Sequence, residues 1–570
     1  MGKKSKAKKV KKAAAKAAPA KEDLKKVKKI FYSKRKIKGA LLFLAGLILL
    51  GIVGTLIYFK LEPTPLAKML PQDKTIGFIE VDIGDQQVIN AQNLLEKHEI
   101  YGPERIKSLV YDVTGVSFDD AAFIGEKIGL GFMQLDESGA IPLVFLSVKD
   151  HGDAIRFLRN LAIKEKGDAF TCEKVEGYEL CGYKLSYNVA LTFYKDYLVL
   201  SPSKQVLLEM RKNDDKVSRN RKFIQIRDNL PARNLAFIYV DAQTALKSLF
   251  ENKSFVEKKG YELSALAPLL QIFKSHGTVL IAQENNLAMQ TYTYMDKDKL
   301  SEESFISFSR KYASKLSKYV DKTPVAFFGG HNITKQLQRV SKLISTDTRT
   351  AEILLDGVLK AQVKKYFGDE VGLEEDIYPI IENEYAFVAD PDYKVILELN
   401  GTEREKVEKL LDNFVEVNAV FAPKVIETEL EDGTISKEIV ASEEEVEEIK
   451  EVYKGVDTTS LKLGEKSWGI YYAFLSDVAI FASSKESLQK SIDLYKDPQE
   501  SLQESAAFKA LFAPIIRNND EISFINFSFL LDKLNVEGEY RKYFDPISTV
   551  VSGKNYFDDG ISTTHYILVK

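Results

Sequence analysis

Two long stretches of this chain present the same blocks in the same order, so whatever fold the first adopts the second should adopt too. Asp73-Lys-Thr-Ile-Gly-Phe-Ile79 opens the first and Asp321-Lys-Thr-Pro-Val-Ala-Phe327 the second. Gly115 to Ile124, leading to Ile128-Gly-Leu-Gly-Phe132, parallels Gly372 to Ile381, leading to Tyr385-Ala-Phe-Val388. Val144 to Val148, followed by Ile155, Leu158 and Leu161 at helical spacing, parallels Val395 to Leu399, followed by Val407, Leu410, Leu411 and Phe414. Both read strand, then helix.

Further on, Gly177 precedes Lys184-Leu185 as Gly455 precedes Lys462-Leu463. Tyr197 to Lys204 then matches Val478 to Lys485, each entering a helix, and Ala236 to Val240 pairs with Ile522 to Asn526. Alternating strands, Leu287 to Tyr294 and Ile561 to Val569, close the two stretches. The expected architecture is α+β: two tandem duplicated units with mostly antiparallel sheets, over 71–296 and 321–570. Between them, 297–320 carries Phe305, Phe308, Tyr312, Leu316 and Val320 at helical spacing and reads as a helical connector.

The second unit has an acidic insertion near 425–450. There Asp432-Gly433 is expected to turn a hairpin that sets Ile426 opposite Ile439 and Leu430 opposite Ile435. Ser442 is then expected to cap a helix over Glu443 to Ile449, acids in a first turn suiting the helix dipole.

Ahead of both units, Gly39 to Phe59 is uncharged and 21 residues long, about 32 Å as a helix against a hydrocarbon thickness near 30 Å. It reads as a single transmembrane helix, with Gly39, Leu50 and Phe59 at its start, middle and end. Lys34, Arg35, Lys36 and Lys38 abut one side while Lys60 and Glu62 stand on the other, which puts the N-terminus in the cytoplasm and the C-terminal bulk outside it. A cleaved signal peptide is the competing reading, but Leu61-Glu-Pro-Thr-Pro65 offers no small-x-small site. Residues 60–70 then form a short linker.

Residues 1–38 hold 17 Lys and Arg against Glu22 and Asp23, which leaves 63 basic and 81 acidic residues, a net of -18, for the rest. The tail reads as a disordered polybasic segment, and each of its lysines is worth about 1 kcal/mol beside an anionic leaflet. The acidic remainder repels phosphate backbones, so no nucleic-acid partner is expected.

The tail and anchor, then Leu70-Pro-Gln-Asp-Lys-Thr75, then Gly372-Leu373 with Asp376, resemble an uncharacterised bacterial family known as domain of unknown function 3352. The first unit departs from the pattern at Val116 and Ser117. The resemblance implies a membrane-bound envelope protein of unknown role and transfers no catalytic residue.

Cys172 and Cys181 are the only cysteines, and both lie in the part expected outside the cytoplasm, where disulfides persist. If Glu176-Gly177 is the turn, the two face one another with Cα atoms about 4.5 Å apart, within reach of a disulfide. Metal binding and thiol catalysis are the alternatives. Ser201-Pro-Ser-Lys204 has the Ser-x-x-Lys spacing of acyl-transferring enzymes, but the partner motifs are missing and Ala482 stands where the nucleophile would repeat. A helix cap explains it better. Gly125, Gly129 and Gly131 suggest a phosphate loop only superficially, since strand follows and no helix N-terminus is presented; a tight turn is the expectation. The histidines, at 98, 151, 276, 331 and 565, fall at no ligand spacing, and Asp390, Asp392, Glu427, Glu429 and Glu431 read as solvated acids. No catalytic residue, metal or cofactor is expected.

These readings describe a single-pass, non-catalytic protein of the cytoplasmic membrane, with a periplasmic or otherwise extracytoplasmic domain that binds or organises other components of the cell envelope. Its partners would be the bilayer, anionic lipid at the tail and an envelope protein. A carrier or sensor of a lipid or other apolar ligand is the alternative, and a hydrolase with a dispersed active site a third reading.

Overall fold

The computed structural model describes residues 66–82, 86–96, 123–135, 139–164, 171–184, 188–251, 272–284, 286–296, 312, 314–335, 349–420, 423–430, 434–441, 447–462, 469–509, 519–534, 536 and 541–569. The tail 1–38, the expected anchor with Gly39, Leu50 and Phe59, and most of the connector lie outside these residues. Among the described residues no helix is long and apolar enough to cross a membrane.

A first run of elements begins with a 3-10 turn, Leu66–Lys68, then β1 (Thr75–Asp82), α1 (Gln86–Glu96), β2 (Ile124–Gln134), β3 (Ala140–Val148) and α2 (His151–Lys164). It continues through β4 (Thr171–Val175), β5 (Tyr178–Lys184), β6 (Asn188–Tyr194), β7 (Tyr197–Ser201), α3 (Lys204–Lys212) and α4 (Arg221–Asp228). It ends with β8 (Ala236–Asp241), α5 (Ala242–Glu251), β9 (Phe273–Ala282) and β10 (Asn286–Met295).

The second run opens on another 3-10 turn, Leu316–Tyr319, followed by β11 (Ala326–His331), α6 (Arg349–Phe367), β12 (Glu384–Asp390), β13 (Asp392–Glu398) and α7 (Gly401–Val420). A separate hairpin, β14 (Pro423–Glu429) and β15 (Ile435–Ala441), precedes β16 (Glu447–Tyr453), β17 (Val456–Lys462), β18 (Gly469–Leu475), β19 (Val478–Ala482) and α8 (Lys485–Lys496). Then come β20 (Glu521–Asn526), α9 (Phe527–Lys533), α10 (Arg541–Phe544), β21 (Ile547–Phe557) and β22 (Gly560–Val569).

All strands except β14 and β15 join one antiparallel sheet of 20 strands, and its middle is the pair β10–β22, which holds Thr291 opposite Thr563. Outward from that seam the first run lies in the order β10, β9, β8, β1, β2, β3, β7, β6, β5, β4. The second lies in the order β22, β21, β20, β11, β12, β13, β19, β18, β17, β16. Both begin at the seam with the last strand of the run and end with the fourth of its ten sheet strands.

Helices cover both faces of each run, which is why β3 and β7 are apolar at consecutive positions rather than at alternate ones. Phe145 and Val199 pack on one face with Val206, Leu207 and Met210 of α3 and Ile226 of α4. Val144, Leu146, Leu198 and Leu200 pack on the other with Ala154 and Leu158 of α2. In the second run Ile396 and Ile480 meet Leu488 and Ile492 of α8, while Leu397 and Ala479 meet Val407 and Leu410 of α7.

Several expectations are corrected. Residues 66–70 are core rather than linker, with Leu66, Ala67, Met69 and Leu70 all buried. Tyr312, Leu316, Tyr319 and Val320, expected in a connector, are buried in the second run. Glu447 to Ile449 lie in β16, not in a capped helix; β16 pairs only with β17, and an outer edge strand tolerates the row of acids that suggested a first turn. In the β14–β15 hairpin Ile426 faces Glu438 and Glu429 faces Ile435, while Leu430 N–H donates to the Thr434 carbonyl at 2.8 Å. The connection therefore covers 431–433, one residue more than a two-residue turn, and each pair slips by one.

Candidate functional site

Glu176 and Gly177 both adopt positive φ, 51° and 84°, as a two-residue hairpin turn requires. That turn sets Cys172 opposite Cys181, and the two are joined in a disulfide with Cα atoms 4.0 Å apart. Among the described residues the one group with metal-ligand proximity is Cys172, Glu179 and Cys181, but both sulfurs are committed to the disulfide and present no thiolate. Lys454 and Gly455 turn the matching hairpin with φ of 48° and 77°, and there Lys450 faces Thr459.

Ser201 and Lys204 do not meet as nucleophile and base. Ser201 Oγ accepts from Ser203 N–H at 3.2 Å, Ser203 caps α3, and Lys204 pairs instead with Glu173. Ser484 caps α8 in the same way and donates to Asp392 Oδ2 at 2.6 Å.

The histidines are held by hydroxyls or rings. His276 contacts Thr293 Oγ1 and Thr278 Oγ1 at 2.8 and 3.0 Å, and His565 contacts Ser552 Oγ at 2.6 Å. Burial pulls both imidazoles below their usual range. His151 stacks on Phe193 at 4.5 Å between centroids, and His98 lies outside the described residues.

Asp390 is not the solvated acid expected. It is buried 3.8 Å from Lys394 Nζ and 3.7 Å from Lys490 Nζ, while Lys490 also pairs with Asp321 at 2.5 Å. The Lys394 side chain is fully buried and its ammonium makes no hydrogen bond, so desolvation lowers its pKa. Strand alternation carried the signal, since Lys394 shares a face with buried Ile396. Glu427 is exposed and pairs with Lys437.

Gly125, Gly129 and Gly131 lie inside β2 rather than in a turn. A Cβ at Gly129 would stand 2.1 Å from Leu66 Cδ2, and one at Gly131 3.3 Å from Leu70 Cδ2. The glycines let the entering turn lie flat on the sheet. Leu66 N–H also donates to Glu80 Oε2 at 2.7 Å.

Beside that turn a cavity of about 330 Å³ opens between Ala67 and Lys68, the sheet and α4. Its floor is aromatic: Phe78, Phe223 and Phe237 stand with centroids 5.9 to 6.0 Å apart. Its charged lining is Lys68, Lys127, Arg227 and Arg233 against Glu80 and Asp82. Lys127 lies 3.5 Å from Glu80 and 3.6 Å from Asp82, and Arg227 covers the Phe237 ring at 5.3 Å. Sequence reading missed this site because the lining comes from segments more than a hundred residues apart; Gly129 was the available signal.

In the second run the entering turn is held alike, Leu316 N–H donating to Glu384 Oε1 at 2.9 Å. Here a buried Tyr312 lies over the sheet, its hydroxyl 2.2 Å from where a Gly329 Cβ would stand. Phe508 packs against Phe327 and Phe524, each at 6.4 Å. Tyr312 OH contacts Ser314 Oγ at 3.3 Å and faces the Glu384 carboxyl, whose Oε2 is left without a hydrogen bond. Burial pushes Glu384 up to about 7, against the pull of the Leu316 N–H. The second run also carries two open clefts, about 510 and 570 Å³, lined largely by acids such as Glu374, Asp376, Glu408 and Asp412.

Fold and site thus define an α+β protein built on one antiparallel sheet, with structural rather than reactive duties at the residues that sequence had nominated. A family described as "Protein of unknown function (DUF3352)" matches residues 114–422, more than half of the chain, and the chain belongs to that family. No curated protein matches it. Crystal forms III and I of TP0453 are similar at 12% identity and a TM-score of 0.23, covering 41% and 42% of this chain and 81% of that one.

Proposed function

We propose that this chain is a non-catalytic, membrane-tethered module of the cell envelope, built from two copies of one α+β unit, that binds or organises other envelope components. Its tail, residues 1–38, lies in the cytoplasm, Gly39 to Phe59 crosses the cytoplasmic membrane, and the sheet stands outside. The observation that carries this reading is where the chain joins the fold. Only residues 60–65 separate Phe59 from the buried turn at Leu66, and they reach about 20 Å at most. A rigid sheet is thereby held close to the bilayer.

Equal strand order about the seam supports the two-copy reading, as does the register. Cys172–Cys181 and Lys450–Thr459 fall on matching pairs, Ser203 and Ser484 both cap a helix, and Asp241 and Asn526 both cap the helix that follows the eighth strand. The match of Ala236 to Val240 shifts by one, since pairing to the next strand aligns Phe237 with Ile522. A disulfide supports an oxidising compartment.

Protease added to intact spheroplasts carrying a C-terminally tagged chain tests the topology. Loss of the tag before lysis is expected; survival of the tag until lysis would reverse the orientation and remove the envelope reading. The cavity beside Lys68 favours the second reading, a carrier or sensor of a lipid.

A further inference from the structure

We propose that the cavity between the Leu66–Lys68 turn and α4 binds the head of a phosphate-headed membrane lipid, with the acyl chains left outside. Four cations and two carboxylates line it, in a protein whose residues beyond 38 carry a net charge of -18. Both carboxylates already face Lys127, and Glu80 also accepts from Leu66 N–H. A phosphate is the complement of what remains. The Phe78, Phe223 and Phe237 floor suits the glycerol and first methylenes of such a lipid, not a hydrated inorganic ion. A volume of about 330 Å³ sits at the small end of ligand sites, enough for a head and its first carbons.

Two further observations choose a membrane source. The cavity wall at Ala67 and Lys68 is the first described segment after the expected anchor, so its mouth lies within the short reach of residues 60–65 from the bilayer. The matching place in the second run is closed by Tyr312, with Gly329 and Glu384 where the first run has Glu80 and Lys127. An opening in one run and a tyrosine in the other mark the first as the specialised site.

The membrane source rests on the tether reading, whereas the binding chemistry does not. Purified full chain in a nonionic detergent is titrated with dodecyl phosphate and, separately, with dodecylphosphocholine, and bound ligand is counted by native mass spectrometry. One dodecyl phosphate per chain and little dodecylphosphocholine are expected. Arg227→Gln with Arg233→Gln should weaken uptake at least tenfold, and Ala232→Trp, which obstructs the mouth and keeps every charge, should abolish it. Replacing Lys3, Lys4, Lys6, Lys8 and Lys9 by Gln should leave it unchanged. An intact disulfide and an unaltered melting temperature establish that each variant is folded. Equal uptake of both probes, or uptake indifferent to the arginine and tryptophan variants, would overturn the proposal. So would absence of uptake by wild type, the result if the chain's own residues 60–65 occupied the space as Tyr312 does. A reversed topology with selective uptake retained would remove the tether and leave the site standing.

Discussion

At matching positions of the two runs the same backbone is held by opposite electrostatics. The entering turn of the first run donates to Glu80, which Lys127 faces at 3.5 Å, beside an open cavity. The turn of the second donates to Glu384, buried beside Tyr312 in a filled core. A carboxylate near a cation stays ionised at little cost, whereas one enclosed by a tyrosine and a backbone N–H retains its proton to near neutrality. One run can meet a charged ligand, and the other gains packing.

The severest way to break this contrast is Tyr312→Ala. Removing a fully buried aromatic should cost about 3 to 5 kcal/mol, read as a lower urea midpoint. Lys68→Gln, at the exposed turn of the first run, should leave the midpoint in place. If Tyr312→Ala is equally silent, the second run is not closed by that ring.

Next in size is the pH dependence of Glu384. Its folded pKa, about 7, lies above the 4.5 of an ordinary Glu, so between those values the folded chain holds a proton that the unfolded chain has released. The stability this group contributes is therefore largest below pH 4.5, declines as pH rises towards 7 and is flat beyond. The decline amounts to about 3 kcal/mol at most. Glu384→Gln keeps an acceptor for Leu316 N–H and should remove that part of the slope. Parallel stability curves for the wild type and the Glu384→Gln variant from pH 4.5 to 8 would mean that the carboxyl is ionised throughout.

The staple comes third. Cys172→Ser with Cys181→Ser should cost about 2 to 3 kcal/mol for so short a loop. The register offers a reciprocal test: Lys450→Cys with Thr459→Cys places two thiols on the matching pair of β16 and β17. Non-reducing peptide mapping of the oxidised double variant should find them joined; free thiols would break the equivalence of the two hairpins.

Period-two runs, Gly-containing turns and the repeated blocks located nearly every described strand in the sequence, because they report local backbone preference and burial. That reasoning even located the Cys172–Cys181 pair, since a two-residue turn fixes register arithmetically. It failed where a residue's neighbours are distant in the chain. Lys394 looked like a surface lysine until Asp390, Lys490 and Asp321 gathered round it. The cavity was illegible because Lys68, Phe78, Lys127 and Arg227 share no spacing. The acids of β16 suggested a helix because propensity cannot distinguish a dipole-facing first turn from a charged sheet edge.

The smallest expected difference concerns the two helix caps, and it sharpens the comparison most finely. Ser203 and Ser484 each accept from the third residue on, Val206 N–H at 3.5 Å and Ser487 N–H at 3.2 Å. Losing either cap to alanine should cost about 1 kcal/mol. Ser484 also donates to Asp392 Oδ2 at 2.6 Å, on the strand that carries Lys394. Ser484→Ala therefore removes a charge-assisted bond as well as a cap, and its cost should exceed that of Ser203→Ala by about 1 kcal/mol. Ser484→Ala combined with Asp392→Ala should recover part of that excess, since no carboxylate is then left without its donor. Equal losses for the two serines would mean that the Asp392 bond contributes nothing, and that the two runs cap these helices alike.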